Sequence, residues 1–309
     1  MLLQIETNTR CNLACWFCQN RHFPLPEKAV MPMPLYELAV GQGQECGYRR
    51  VSHAAYNEPM ADPLFLDRLR FLKRQRVEYV GYSNGTLLDA FTAQRLVAEG
   101  LDWPHTFNIP AADQEAYARA VDRTRSAAAV IDQVRAFIRA SRRDHVVDVN
   151  GVGDAEHDEN YRQVSARFAD LPNCQVRRVV IVTRAGQMCG TGRADFGANL
   201  QQLTLRKPFP VVGCAAGKLA NVYVGVYGEV YLCCHDHEKK YTVGNIETEP
   251  LAAIINSERR SNIERVMFAE LCASCESAVF RRTARDGFRA DLPHQLQPPH
   301  LAPGDVRPA

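Results

Sequence analysis

The stretch that decides the fold is "TNTRCNLACWFCQN", residues 7–20, which places Cys11, Cys15 and Cys18 in a C-x3-C-x2-C pattern. A structural zinc site is closed by four protein ligands, whereas this loop supplies three. Three thiolates can hold three irons of a four-iron cubane and leave the fourth iron open to an external ligand. Zinc completed by a distant residue and buried free thiols are the alternatives. The pattern favours an iron–sulfur cluster with one open coordination position.

Composition excludes several classes of protein. The chain has 309 residues, a formal net charge of +2 and no basic stripe with interleaved aromatic residues, so nucleic acid is not an expected partner. No apolar run reaches the roughly 18 residues that span a bilayer. The first ten residues leave no room for a secretion signal, which predicts a cytoplasmic protein. In that compartment thiols stay reduced, so we expect metal ligation rather than disulfides from the eleven cysteines.

Residues 1–204 alternate short apolar strands with helical stretches. "LLQIET" (2–7) reads as a strand, "PLFLDRLRFLKRQ" (63–75) as an amphipathic helix and "VEYVGYSNG" (77–85) as a strand that ends in a turn. Repeated βα units with buried parallel strands predict an α/β fold, a partial or complete TIM-like barrel. The cysteine loop directly follows the first strand, at the rim where barrel enzymes build active sites.

The pattern changes after residue 204, and we predict a small α+β appendix over residues 205–285. "LANVYVGVYGEVYLCC" (219–234) has the composition of a β-hairpin. Five cysteines fall in this region, and four of them, Cys214, Cys233, Cys272 and Cys275, suffice to close a second cubane, with zinc as the alternative. Adjacent strand residues point to opposite faces, so we expect Cys234 to be the spare thiol. The proline-rich tail, 286–309, shows no periodicity and is predicted to be disordered or draped over the surface.

The segment "CNLACWFC" resembles the signature of the radical S-adenosylmethionine superfamily, and the resemblance extends over residues 2–280. It implies that the open iron of a [4Fe–4S] cluster chelates S-adenosylmethionine, with Phe17 near the adenine. It also implies reductive cleavage to a 5′-deoxyadenosyl radical, with the electron coming from a flavodoxin- or ferredoxin-type partner.

Two later segments match the same family. "YNEP" (56–59) resembles a segment that holds the methionine amino group, with Glu58 as the matching acid and with Tyr56 and Asn57 in place of two glycines. "YSNGT" (82–86) resembles the strand end that contacts the ribose, which makes Ser83 and Asn84 candidates.

The cysteines of the appendix resemble the twitch or SPASM region of that superfamily, which implies an auxiliary [4Fe–4S] cluster with Cys233 as the ligand after the hairpin. Within the superfamily, the chain most resembles enzymes of aminoglycoside pathways. These include 2-deoxy-scyllo-inosamine dehydrogenase and the epimerases of the hygromycin B and neomycin pathways. Arg184, in "TRAGQMCG" (183–190), matches a substrate-contacting arginine.

A thiol near the substrate would distinguish the possible reactions. An S–H bond is weaker than a carbinol C–H bond, so a thiol within reach quenches a substrate radical and inverts the carbon. Cys189 is the first candidate donor and Cys234 the second, which predicts an epimerase of an aminoglycoside or pseudosaccharide precursor. Dehydrogenation of the same kind of carbinol, with the auxiliary cluster as electron acceptor, stays open. Modification of a ribosomal peptide also stays open, although no separate peptide-binding domain precedes the barrel. A zinc-binding structural module is the last alternative.

Acidic residues offer a weaker indication of the substrate. The segment "GDAEHDEN" (153–160) follows a predicted strand, and Asp113 and Glu115 follow another. Aminoglycosides are polycations, so these acidic side chains could bind the substrate. The alternative is that they are simply solvated surface charges. His157 is either a proton shuttle or an exposed loop residue.

Overall fold

A computed structural model describes residues 1–24, 28–121, 125–181, 183–188 and 210–281. The predicted boundary at residue 204 and the predicted tail, 286–309, lie outside these residues, as does Cys189. Seven parallel strand segments form the first region: β1 (Leu3–Ile5), β2 (Arg50–Ser52), β3 (Glu78–Tyr79), β4 (Gly81–Ser83), β5 (His105–Asn108), β6 (His145–Gly151) and β7 (Cys174–Val180).

Helices alternate with these strands, as the sequence predicts. They are α1 (Gln19–His22), α2 (Met33–Glu45), α3 (Phe65–Arg74), α4 (Ala90–Ala98), α5 (Gln114–Val121), α6 (Ala127–Ala140) and α7 (Ala155–Phe168). Short polar side chains begin several of them: Asp89 accepts a hydrogen bond from the Thr92 amide at 2.7 Å, and Ser126 accepts one from the Ala129 amide at 3.2 Å. Two of these helices, α5 and α6, lie between β5 and β6.

The strands β3 and β4 are one extended segment interrupted at Val80. The Val80 amide donates to the Val51 carbonyl at 2.8 Å on one side, and the Gly81 amide donates to the Pro104 carbonyl at 3.0 Å on the other. The segment thus joins β1–β2–β3 to β4–β5–β6–β7 as a continuous parallel series. Among the described residues β7 has no further strand beside it. Over the described residues the α/β barrel is therefore partial, one of the two forms that the sequence allows.

The appendix continues the barrel sheet on its other edge. It contains β8 (Val211–Cys214), β9 (Val222–Val224), β10 (Glu229–Tyr231), β11 (Thr242–Asn245), α8 (Leu251–Ile255), α9 (Glu258–Ala269) and β12 (Ala278–Phe280). β9 pairs in parallel with β1, with Leu3 opposite Val222, and the hairpin β9–β10 turns at Gly228, whose φ is +82°. β8 and β12 form a separate antiparallel pair.

One apolar core runs through both regions. Leu3 and Ile5 of β1 are fully buried and belong to the same cluster as Phe107 of β5 and Val224 of β9. The appendix is therefore held by the barrel core as well as by strand pairing, and β1 lies at the centre of the six-stranded sheet. None of the helices in the described part of the chain is both long and apolar enough to cross a membrane.

Candidate functional site

The three N-terminal cysteines lie on a loop between β1 and α1. This loop is fixed by backbone hydrogen bonds to α5, from the Ala14 amide to the Val121 carbonyl and from the Trp16 amide to the Ala120 carbonyl, both at 3.1 Å. Burial raises the pKa of Cys11 to about 12, and burial together with the nearby Cys18 and Cys11 raises that of Cys15. The three thiols are thus mutual neighbours in a place where thiolates need a cation. Cluster iron would supply that positive charge.

Glu58 of "YNEP" lies behind this loop and is 2% exposed. Its Oε1 accepts from the Ser83 hydroxyl at 2.9 Å and from the Met60 amide at 3.0 Å, and its Oε2 accepts from the Asn84 amide at 2.8 Å. The Glu58 amide donates to the Arg10 carbonyl at 2.8 Å. The structure therefore brings together two of the three predicted cofactor segments through one carboxylate. Burial raises the pKa of Glu58, and its three donors oppose that rise.

A polar network that the sequence did not predict joins the same segments to the cysteine loop. Asn12, between Cys11 and Cys15, accepts from the Asn84 side chain at 3.0 Å and donates to the Thr86 hydroxyl at 2.7 Å. The Thr86 hydroxyl in turn donates to Asn84 Oδ1 at 2.6 Å. The position of Asn12 within the cysteine motif was the available signal for this role.

Tyr56 and Asn57 have different surroundings from Glu58. The Tyr56 hydroxyl donates to the carbonyl of Cys234, and its ring packs edge-on against His237 with centroids 4.4 Å apart. Asn57 shapes the turn itself, since its side chain accepts from the Ala55 amide at 2.8 Å and donates to the His53 carbonyl at 3.1 Å. Tyr56 thus links the predicted cofactor segment to the appendix.

Phe17 contacts Trp16 edge-on, with ring centroids 5.5 Å apart. Both rings pack against Ile181 and Met188, which follow β7. The aromatic pair therefore forms one side of the rim near the end of the last barrel strand.

Lys218 lies near four cysteines of the appendix, Cys233, Cys234, Cys272 and Cys275. Burial is the main reason that the pKa of Cys272 is raised to about 12. The nearby thiols of Cys275 and Cys214 add to this rise, and the charge of Lys218 opposes it. Burial also raises the pKa of Cys275 to about 11, with Lys218 opposing and Cys214 adding to the rise. Cys214, Cys272 and Cys275 therefore form one group of neighbouring thiols beside a lysine.

The expected separation of Cys233 from Cys234 is wrong. The strand β10 ends at Tyr231, so the two cysteines lie in a turn, where strand alternation does not apply. Their side chains share a hydrogen bond, so the ionisation of each thiol depends on the other. Cys233 is buried against the core and Cys234 is half-buried. The choice of Cys233 as the fourth ligand stays a prediction.

The spacing of the sulfurs bears on the choice between zinc and iron. A zinc tetrahedron with Zn–S bonds of about 2.3 Å brings its sulfurs to about 3.8 Å from each other. Within the described ranges, no three cysteine sulfurs lie within 4.8 Å of one another. The one group of metal-ligating atoms that meets this limit there is His235, Cys275 and Glu276. Among the described residues, neither group of cysteines therefore has the close sulfur spacing of a zinc tetrahedron.

Residues 183–188 connect the two groups of cysteines. Glu276, next to Cys275, accepts from the Ala185 amide at 3.2 Å and from the Thr183 hydroxyl at 3.4 Å. Gln187 donates to the His235 carbonyl at 2.9 Å and accepts from Gln19 of α1. These side chains were not identified from the sequence, because their partners are distant along the chain.

Arg184 lies in this connecting segment, with a left-handed backbone at φ +54°. Burial lowers the pKa of the Arg184 guanidinium, but the nearby Tyr56, Cys234 and Cys18 favour its charged form, so the pKa is raised overall. Its guanidinium makes no hydrogen bond to any of the residues whose positions are described. Among the described residues, Arg184 therefore places a cation without a hydrogen-bonding partner between the two cysteine groups, which suits an anionic or polar ligand.

The inner wall of the barrel is polar. Asp148 of β6 receives two hydrogen bonds from Arg177 of β7, at 2.7 and 2.9 Å, and Asn150 donates to Asn108 at 2.9 Å. Tyr82 of β4 is on the same face and is 37% exposed. The opposite face carries apolar residues that pack under α6, for example Phe107 against Phe137 with ring centroids 5.9 Å apart. Polar groups therefore face the chamber.

The acidic segment 153–160 is the start of a helix rather than a loop. It begins α7, where Asp154 accepts from the His157 amide at 2.8 Å, and its charges pair with arginines, such as Asp158 with Arg178 at 2.6 Å. His157 is 2% exposed, and its Nε2 bonds to the Val149 carbonyl at 2.8 Å, so it is neither an exposed residue nor a shuttle to solvent. Asp113 likewise caps α5 through the Ala116 amide at 2.9 Å. Acidic residues are favoured at helix N-termini, which explains the pattern.

Comparison with known families identifies the class of protein. Residues 5–166, more than half of the chain, match the model of the radical SAM superfamily, and the chain belongs to it. Residues 214–276 match the iron–sulfur cluster-binding SPASM domain. The chain therefore uses S-adenosylmethionine with a [4Fe–4S] cluster and carries an auxiliary cluster in its appendix. A search of curated protein sequences found no match.

Solved structures show the same fold at low sequence identity. BtrN in complex with AdoMet and 2-DOIA has a TM-score of 0.53 at 17% identity, over 90% of this chain and 92% of that chain. Native anSMEcpe with bound AdoMet has a TM-score of 0.60 at 15% identity, over 90% and 88%. Streptococcus suis SuiB bound to precursor peptide SuiA has a TM-score of 0.64 at 13% identity, over 89% and 69%.

Proposed function

We propose that this enzyme inverts a carbinol stereocentre of an aminoglycoside or a related amine-bearing, polyhydroxylated small molecule. In this proposal Cys11, Cys15 and Cys18 hold the cluster that binds S-adenosylmethionine, and Cys214, Cys233, Cys272 and Cys275 hold the auxiliary cluster. Glu58, Ser83 and Asn84, with Phe17, Tyr56 and Asn57 around them, line the cofactor site. Arg184 contacts the substrate.

The observation that carries the proposal is the position of Cys234. Four of the five appendix cysteines suffice for a cubane, which leaves one thiol unligated. Cys234 is half-buried, and its carbonyl accepts a hydrogen bond from the Tyr56 hydroxyl. Its sulfur is near enough to Arg184 and Tyr82 to contribute to the raised pKa of each. It thus lies between the predicted cofactor segment and the polar inner wall, where a hydrogen-atom donor is needed.

The inner wall supports a hydroxylated substrate. Asn108 and Asn150 offer amide donors and acceptors, and the paired Asp148 and Arg177 offer a carboxylate and a guanidinium on the same face. Such groups form directional hydrogen bonds with alcohols and amines. The structure of BtrN with AdoMet and 2-DOIA is consistent with a small-molecule ligand in this fold.

The reaction balances with one thiol and one external reductant. The bound cofactors supply the 5′-deoxyadenosyl radical that removes a hydrogen atom from the substrate carbon. The S–H bond of Cys234 or Cys189 then breaks homolytically, and its hydrogen forms the new C–H bond on the opposite face. The resulting thiyl radical takes one electron from an external flavodoxin- or ferredoxin-type donor and one proton from solvent. S-adenosylmethionine is consumed, and the substrate undergoes no net oxidation.

The test is turnover in deuterated water with a panel of aminoglycosides, in which the product is analysed by mass and by stereochemistry. An epimerase incorporates one deuterium at the inverted carbon, because the thiol proton exchanges with solvent. Cys234→Ala and Cys189→Ala are compared with Cys174→Ala, a matched control at the first residue of β7. Loss of inversion in one of the first two variants identifies the donor. If both retain inversion, the thiol mechanism is wrong.

Dehydrogenation is the second candidate, and Arg184 is the observation that favours it. Cys18 and Cys234 both contribute to the raised pKa of Arg184, so both cysteine groups lie near this residue, and an auxiliary cluster held by the second group would lie close to the cofactor site. A product lighter by two hydrogens, with no solvent deuterium at that carbon, would establish oxidation. Turnover only with a peptide would instead point to the substrate type seen with SuiB.

A further inference from the structure

Lys218, His235 and Cys275 form a chain of contacts that no proposed step of the reaction uses. Lys218 Nζ lies 2.6 Å from His235 Nε2, and His235 Nδ1 lies 3.9 Å from Cys275 Sγ. His235 is 1% exposed, and its backbone carbonyl is held by Gln187 at 2.9 Å. The imidazole is therefore fixed in position between an ammonium group and a cysteine of the auxiliary set.

The contacts determine which nitrogen of His235 carries the proton. A lysine ammonium has three donors and no acceptor, so His235 Nε2 must accept. The ring proton of a neutral imidazole then lies on Nδ1, which faces Cys275 Sγ. The contact between His235 and Cys275 is thus an N–H···S hydrogen bond with the sulfur as acceptor.

Two backbone amides add to the donors around these sulfurs. The His235 amide donates to Cys233 Sγ at 3.4 Å, and the Ser277 amide donates to Cys275 Sγ at 3.4 Å. Hydrogen bonds to ligand sulfurs and nearby positive charge stabilise the more negative, reduced state of an iron–sulfur cluster, and this raises its reduction potential. His235 serves both predicted ligands, Cys233 and Cys275.

We propose that Lys218 and His235 are a positioning pair that raises the reduction potential of the auxiliary cluster through Cys275. Lys218 fixes the tautomer of His235 and contributes charge, and His235 delivers the hydrogen bond. The proposal depends on Cys275 being a cluster ligand and is independent of the reaction that the enzyme catalyses. Failure of the epimerase assay would therefore leave it unaffected.

The experiment is a redox titration of the auxiliary cluster, followed by electron paramagnetic resonance under anaerobic conditions. The three N-terminal cysteines are replaced by alanine in every sample, so that one cluster remains. Lys218→Met and His235→Phe are expected to shift the midpoint potential to more negative values, and Lys218→Arg to retain most of the original potential. Lys240→Met is the matched control, because this exposed lysine pairs with Glu270 at 2.6 Å. It should cause no shift.

An unchanged potential in Lys218→Met, at full iron content, would overturn the proposal. This variant decides the question even if His235→Phe fails to bind the cluster. Pulsed measurements of nitrogen hyperfine coupling distinguish the remaining possibility. Weak coupling that disappears in His235→Phe supports a hydrogen bond, whereas strong coupling would mean that the imidazole binds iron directly and would also overturn the proposal.

Discussion

Glu58 joins the predicted cofactor segments, so its replacement by glutamine tests the site directly. The carboxylate accepts three hydrogen bonds, from the Met60 amide, the Ser83 hydroxyl and the Asn84 amide, at 2.8 to 3.0 Å. A glutamine side chain has nearly the same volume but presents one oxygen and one NH2 group. In either orientation, one of the two backbone amides faces the NH2 group and loses its acceptor.

The magnitude follows from that loss. A buried donor left without a partner costs about 1–3 kcal/mol, so we expect Glu58→Gln to lower the free energy of unfolding by about 2 kcal/mol. The proposed charge-assisted bond to the amino group of S-adenosylmethionine is also lost. At about 2 kcal/mol, this weakens cofactor binding roughly 30-fold.

The assay combines urea unfolding of the metal-free chain with calorimetric titration of S-adenosylmethionine into the anaerobically reconstituted enzyme. Glu78→Gln is the matched control, because Glu78 is 44% exposed and pairs with Arg50 at the surface. It should change neither quantity. If Glu58→Gln matches the wild type in both stability and affinity, then Glu58 does not join the cofactor segments as described.

The same variant makes a prediction about pH. Burial raises the pKa of Glu58 above its ordinary value of 4.5. The folded state then binds a proton more readily than the unfolded state, so this group's contribution to stability is complete below about pH 4.5 and is lost as the pH rises through the folded pKa. In Glu58→Gln that part of the pH dependence should be absent.

Three further predictions concern stability and metal content. Arg68→Met should lower the free energy of unfolding in urea by about 3–5 kcal/mol, since it leaves the carboxylate of Asp62, now 2.8 Å from Arg68 Nε, buried without its cation. Adding Asp62→Asn should restore part of that loss, and no recovery would contradict the pairing. Burial lowers the pKa of His105 to about 4 and that of His145 to about 3, so stability should fall as the pH drops below about 6.5, and His145→Asn should weaken this dependence. Replacing the three N-terminal cysteines by alanine should reduce the iron content from about eight to about four per chain, measured with acid-labile sulfide; stoichiometric zinc without sulfide would refute the assignment.

The sequence by itself determined the class of the enzyme, because the decisive features are local. The spacing of Cys11, Cys15 and Cys18 is a property of one short loop, and the alternation of helices and strands follows from hydrophobic periodicity. Both remain in the structure as predicted. Local rules failed where tertiary context changed the backbone: the strand rule misplaced Cys233 and Cys234, and an acidic stretch proved to be the start of α7.

Only the tertiary structure decided which side chains meet across the site. Tyr56 reaches the Cys234 carbonyl across 178 positions of sequence, and Gln19 reaches Gln187 across 168. β9 joins the barrel by pairing with β1, which brings the appendix to the cofactor loop. Such contacts depend on how packed elements bring distant segments together. Hydrophobic periodicity and motif spacing are local properties of the chain, so they do not predict which distant segments meet. The contact between Lys218 and His235 is equally a product of packing, since Lys218 begins a short 3-10 helix and His235 lies in a turn 17 residues further along the chain.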